Sequence, residues 1–293
     1  MFQTGHQVGR VSCAAVLLAG RKSSCNGVAR ISALFWRFLI ATLLLSLSLS
    51  PARAKEGEPS CCFSFGDYIL APLRVHLLTA RDDEALRTTL TDADVHRIVG
   101  KVNLIWAQAG LHFFVESILR EEPAPLAPQP ENAPATDGAL LARIPAATHD
   151  PLVLNVYYIK QFSVNGICFP KAIFVKDTAS LRPVEGGIDE PLPRVTSHEL
   201  GHSLGLAHRQ DLTNLMASGT SGIILNDAEI QRAREGAVRS SGFIRAPELL
   251  SRADALAAAG KSEEARPLYL HLSTVPVEED MMKRVRERAA ARN

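Results

Sequence analysis

The sequence predicts an α+β fold: a β-α-β opening, a proline-led helix bearing histidines in the second half, and a helical tail after it. The opening is read from its periods. Leu73, Val75 and Leu77 alternate with Arg74 and His76, the period-2 pattern of a half-buried strand. Val95, Val99, Val102 and Trp106, with Ile98 and Ile105 beside them, recur at helical spacing up to Gly110, and Thr91 or Asp92 can cap the start. Leu111, Phe113 and Val115 then alternate with His112 and Glu116, a second strand directly after the helix. Glu121 to Pro134 holds five prolines among acidic and small residues and reads as a solvated loop. Leu152 to Ile159 is a nearly continuous apolar run with two tyrosines, as expected of a strand covered on both faces. Ala172 to Val175, after Asn165-Gly166, reads as its neighbour.

At 293 residues, 46% hydrophobic and 22% charged, the chain suits one large domain plus something small. A formal net charge of +1, with Lys and Arg spread along the sequence, gives no electrostatic case for a nucleic acid or an anionic membrane surface.

Phe38 to Ser50 is an apolar run preceded by Arg37 and followed by Pro51-Ala52-Arg53-Ala54, a secretory pattern with an Ala-x-Ala cleavage signature. A helix of this length covers roughly 20 Å, short of a hydrocarbon core of about 30 Å. Residues 1–54 are therefore read as a cleaved leader of a secreted or periplasmic protein, with an uncleaved N-terminal anchor as the alternative. The mature chain then opens with the segment 55–67 and keeps Cys61, Cys62 and Cys168. A bridge from Cys61 or Cys62 to Cys168 and a free thiol are both open. No CxxC pair exists, which disfavours a zinc site built from cysteines.

The residues that carry chemistry lie between Pro191 and Gly219, in PLPRVTSHELGHSLGLAHRQDLTNLMASG. Pro193 suits a first helical turn, and His198 and His202 stand four apart on one helix face, where two imidazoles can converge on one ion. A catalytic zinc takes three protein ligands near 2.0–2.1 Å and leaves a fourth position for water. His208 supplies the third only if the helix stops, because ten helical residues past His198 would carry it about 15 Å along the axis. Gly205 provides the stop, since glycine adopts the positive φ that ends a helix and turns the chain back. Glu199, beside the first ligand, is placed to take a proton from metal-bound water. His6, His76, His96, His112, His149 and His271 have no ligand spacing.

HExxHxxGxxH followed by a methionine, here Met216 in Asn214-Leu215-Met216, resembles the metzincin clan of zinc peptidases. The resemblance implies one catalytic Zn2+ on His198, His202 and His208, and Glu199 as the general base of peptide hydrolysis. Met216 would form an apolar floor under the site. It also implies a layout over residues 68–243: a twisted mixed sheet with an active-site helix, then a smaller C-terminal lobe closed by a helix at Asn226 to Ala237. Substrate would add as an extended strand to an edge strand near Ala172 to Val175, with Ser218 to Ile224 shaping the pocket. Reprolysin-like members usually place Asp, and matrixins often Ser, where this chain has Arg209, and no tyrosine follows Met216. A matrixin- or reprolysin-like bacterial secreted enzyme is the nearest reading. A thiolate from Cys61 or Cys62 could hold such a zinc latent. The alternative from another class is a non-catalytic zinc-binding module acting through protein contacts; Glu199 argues against it, because binding alone needs no base.

Residues 244–293 turn Ala-, Glu- and Arg-rich around Gly260. Ala253, Ala265 and Tyr269 fall at the packing positions of a single tetratricopeptide-like hairpin, or else the segment supplies capping helices of the catalytic domain. One hairpin cannot bury its own apolar face, so it docks on this domain or on a partner protein.

Overall fold

A computed structural model describes residues 63–125, 137–170 and 172–290, which belong to one compact unit. The leader, Cys61, Cys62 and the centre of the proline-rich loop lie outside the described residues. The strands are β1 (Ile69–Leu78), β2 (Leu111–Glu121), β3 (Leu154–Ile159), β4 (Gly166–Phe169), β5 (Ala172–Lys176) and β6 (Ile244–Arg245). The helices are α1 (Asp92–Trp106), α2 (Asp137–Leu141), α3 (Pro191–Ser203), α4 (Asp227–Arg239), α5 (Ala246–Ala258), α6 (Ser262–Leu272) and α7 (Glu279–Ala290).

The fold is α+β, a twisted mixed sheet in the order β2-β1-β3-β5-β4, with β6 on β1. β1, β2, β3 and β5 run parallel, and β4 turns back antiparallel to close the edge. The parallel β1-β2 pair follows from the crossover through α1, whose start is fixed by a reciprocal Thr91–Asp94 capping box. Ile69, Ala71, Leu73, Val75 and Leu77 of β1 face one way, into a core shared with α1, α3 and α4.

Three sequence expectations change. β1 is not half-buried: nine of its ten residues are buried and Arg74 alone is intermediate, because the opposite face is covered too. The strand at Ala172–Val175 is not an edge, since β3 pairs it on one side and β4 on the other; the edge is β4. The tail forms three helices, not one hairpin. Together with Phe65, Tyr68 and Leu70, α5, α6 and α7 bury Leu249, Ala253, Ala265, Tyr269, Leu272, Met282 and Val285 in a second core against the sheet. No helix among the described residues is long and apolar enough to cross a membrane.

His112 sits where the tail meets β2. Alternation alone put it on a solvated face, but it is 1% exposed. Its Nε2 lies 2.9 Å from Thr274 Oγ1, whose own hydrogen goes to His271 O at 2.8 Å. Nε2–H is therefore the donor, and Nδ1 is left bare with no partner among the described residues. Burial, with the nearby His271, pulls the imidazole down to about 4 from 6.5. The unfolded chain thus takes up this proton at a higher pH than the folded one. Stability is complete above about pH 6.5 and falls as the pH drops toward about 4, by about 3 kcal/mol for this group. Urea unfolding across that interval should show the decline, and His112→Gln should flatten it; an equally steep decline in the variant would remove His112 as its source.

Candidate metal centre

Pro191 opens α3, where a missing N–H costs no helical bond. The helix is seated on the sheet through its buried face, and Tyr158 on β3 shares a 2.9 Å hydrogen bond with Thr196. At its other end Gly205 stands at φ +88°. Its N–H donates to His202 O at 2.9 Å, and the Leu206 N–H donates back to Gly201 O at 2.9 Å. This is the paired closure that lets a helix stop in one residue. The chain then reverses and brings His208 beside His202.

The three imidazoles converge. His202 Nε2 is 3.1 Å from His198 Nε2 and 3.1 Å from His208 Nε2. The hydrogen positions follow from the other ring nitrogens. His198 Nδ1–H donates to Leu215 O at 2.8 Å, and His202 Nδ1–H donates to Leu206 O at 2.9 Å. Burial pulls His198 down to about 3, and the Arg194 guanidinium beside it acts in the same direction; burial lowers His202 as well. Both rings are therefore neutral, with bare Nε2 lone pairs aimed at one another and no proton between them. A cation resolves that repulsion. Two nitrogens at 2.0–2.1 Å from a tetrahedral zinc lie about 3.3–3.4 Å apart, close to the spacing present, so these residues fit the ion. The three-histidine group can hold a metal.

Glu199 follows His198 on the same helix and is 5% exposed. Burial pushes its carboxyl up to about 7 against the pull of Arg194. It faces a cleft of about 950 Å3 whose walls include β4, α3 and the Ser218-Gly219 turn. Cys168 of β4 also lines this cleft with a free thiol. Burial, then the neighbouring Glu199, pushes that thiol up to about 12, which disfavours the thiolate.

Met216 is fully buried beneath α3, its Sδ 2.6 Å from where a Cβ on Gly201 would stand. Ser218 and Gly219 reach the cleft, and residues 219–221 form a short ladder with Arg182: the Arg182 N–H donates to Gly219 O at 2.9 Å and the Ser221 N–H to Arg182 O at 3.0 Å.

Sequence reasoning missed three residues that build the site. Arg194, one turn before His198, is 2% exposed, and its Nε–H donates to Gly222 O at 3.1 Å. Its Nη2 donates to Ala217 O, so one guanidinium holds the methionine turn against α3. Asn214 accepts from the Met216 N–H at 2.7 Å and fixes that turn from within. Glu229, at the start of α4, accepts from Asn214 Nδ2 at 2.7 Å. A signal existed for Glu229 alone, as the Asn-x-x-Glu of a capping box at Asn226.

No family model matches this sequence, and no curated protein matches it. Among solved structures it is similar to mirolysin in complex with compound 9, at 13% identity and a TM-score of 0.41, over 58% of this chain and 91% of that one.

Proposed function

We propose that this chain is a secreted zinc-dependent endopeptidase of the metzincin type. The observation that carries the reading is the pair of bare, neutral Nε2 atoms 3.1 Å apart, with His208 completing the set and Glu199 alongside in an extended cleft. When bound, zinc polarises the scissile carbonyl and makes a coordinated water more acidic. His198, His202 and His208 hold the ion, and the carbonyls of Leu215 and Leu206 fix the first two rings in the tautomer that ligation needs. Glu199 accepts a proton from the attacking water as the new C–O bond forms. It returns that proton to the departing amine nitrogen as the C–N bond breaks. The exposed side of β4 offers main-chain pairing to an extended peptide, in place of the inner strand β5.

Within this reading residues 1–54 are a removable leader, 55–67 a mature N-terminal segment, 68–243 the catalytic region and 244–293 a docked helical tail open to a partner. The test is hydrolysis of casein by the purified protein, with zinc content measured in parallel. One zinc per chain and cleavage abolished by a chelator, then restored by added zinc, are expected. Cleavage that survives complete metal removal would sink the proposal, and one tightly held zinc without cleavage of any substrate would favour a binding module.

A further inference from the structure

The three imidazoles are not held alike. His198 and His202 lie on one helix and each spends its Nδ1–H on a backbone carbonyl. His208 lies beyond the helix, is exposed, and has no Nδ1 partner among the described residues. Its placement comes through the backbone on either side of it, the turn at Gly205-Leu206 before and Arg209 after. The Arg209 N–H donates to Met216 O at 2.9 Å, in a parallel bridge to Ala217. The Arg209 side chain then reaches α4, where Nε donates to Glu229 Oε1 at 2.5 Å.

Glu229 is 3% exposed, and its other oxygen accepts from Asn214 Nδ2 at 2.7 Å and from the Asn226 N–H at 3.0 Å. Burial alone would raise this carboxyl, but the hydrogen bonds from Asn226, Asn214 and Arg209 outweigh it and hold the group below its usual range. One carboxylate thus ties together the loop of the third histidine, the methionine turn and the start of α4.

We propose that Glu229, acting through Arg209, is the positioning residue for His208 and sets how firmly the site keeps its metal. The proposal rests on the zinc reading above. An outer partner that orients a ligand typically changes metal affinity by roughly tenfold to hundredfold when removed. Here the partner acts on the ligand's main chain, from the side opposite the Gly205-Leu206 turn.

The test loads the full protein with one zinc and follows its transfer to a chromogenic chelator, beside unfolding of the metal-free protein. Arg209→Ala and Glu229→Gln should each release zinc about tenfold to hundredfold faster, with the double variant no faster than the worse single one, because both act along one connection. Arg74→Ala, which breaks a comparable pair with Glu116 on the sheet, should leave release unchanged. The Arg209 side chain is 49% exposed, so Arg209→Ala remains informative should Glu229→Gln fold poorly. Release from Arg209→Ala at the wild-type rate overturns the proposal while leaving the zinc site intact. A wild-type protein that binds no zinc overturns the metal reading and this proposal with it. A purely structural role would lower the metal-free unfolding midpoint and leave the release rate alone.

Discussion

If the chain is the zinc peptidase proposed, Glu199→Gln is expected to keep its zinc and lose peptide hydrolysis by a factor of about 10² to 10⁴, the usual worth of a positioned general base. The change is nearly isosteric, so α3 and its two histidines stay in place, and neither imidazole relies on this carboxylate: their Nδ1 partners are Leu215 O and Leu206 O. What goes is the only carboxylate among the described residues that line the cleft. Its protonation is balanced between opposing influences. Burial favours the neutral acid, while Arg194, and any cation on the triad, favours the carboxylate that can accept a proton. The amide can neither accept nor return a proton at these values. The decisive pair of measurements is zinc content and turnover of a quenched peptide; loss of zinc along with activity would mean that Glu199 serves the metal and not the water. Unchanged turnover with zinc retained would remove Glu199 as the base.

The histidine centre was legible because its logic is local. His198 and His202 lie one turn apart, and Gly205 is the residue that a reversal toward His208 requires, so thirteen residues of α3 and the turn after it contain most of the geometry. The supports of that centre are not local. Arg194 reads as an ordinary polar position until residues 217 and 222 fold over it, and Glu229 reads as a helix cap until Arg209 and Asn214 arrive from another segment. The sheet faces failed for a related reason. Alternation in Arg74, His76 and His112 correctly separates two faces, but it cannot say that α5 to α7, and the segment that carries Leu140 and Ile144, cover the second one. His76 is buried against Tyr157, their rings stacked at 4.1 Å, and polar partners within the cluster satisfy it. β4 was hidden altogether, since four residues that begin at Gly166 are too short to show a period, and without it Ala172–Val175 read as the edge.

That edge leads to the second large effect. Gly166 opens β4 directly against α3: a Cβ there would stand 2.6 Å from Glu199 Oε1, 2.7 Å from Val195 Cγ1 and 2.8 Å from Glu199 Cγ. Gly166→Ala must therefore move something, and the atoms that can yield most cheaply are those of the Glu199 side chain, which borders the open cleft. Stability is expected to fall as well, by about 1–3 kcal/mol, because Val195 Cγ1 is buried and β-branched and cannot swing aside. Activity is expected to fall about hundredfold, because a displacement near 1 Å is enough to misalign a catalytic group. Zinc content should stay at the wild-type level, since no histidine is among the atoms nearest that Cβ and the two helical imidazoles keep their own hydrogen bonds. This separates the variant from Glu199→Gln in one respect: the carboxylate is still present, so a displaced but intact base should retain part of its effect, and the double variant Gly166→Ala/Glu199→Gln should be no slower than Glu199→Gln alone. If the two losses multiply instead, Gly166 acts through the peptide-binding edge of β4 and not through the position of Glu199, and the strand's approach to α3 is a matter of substrate fit.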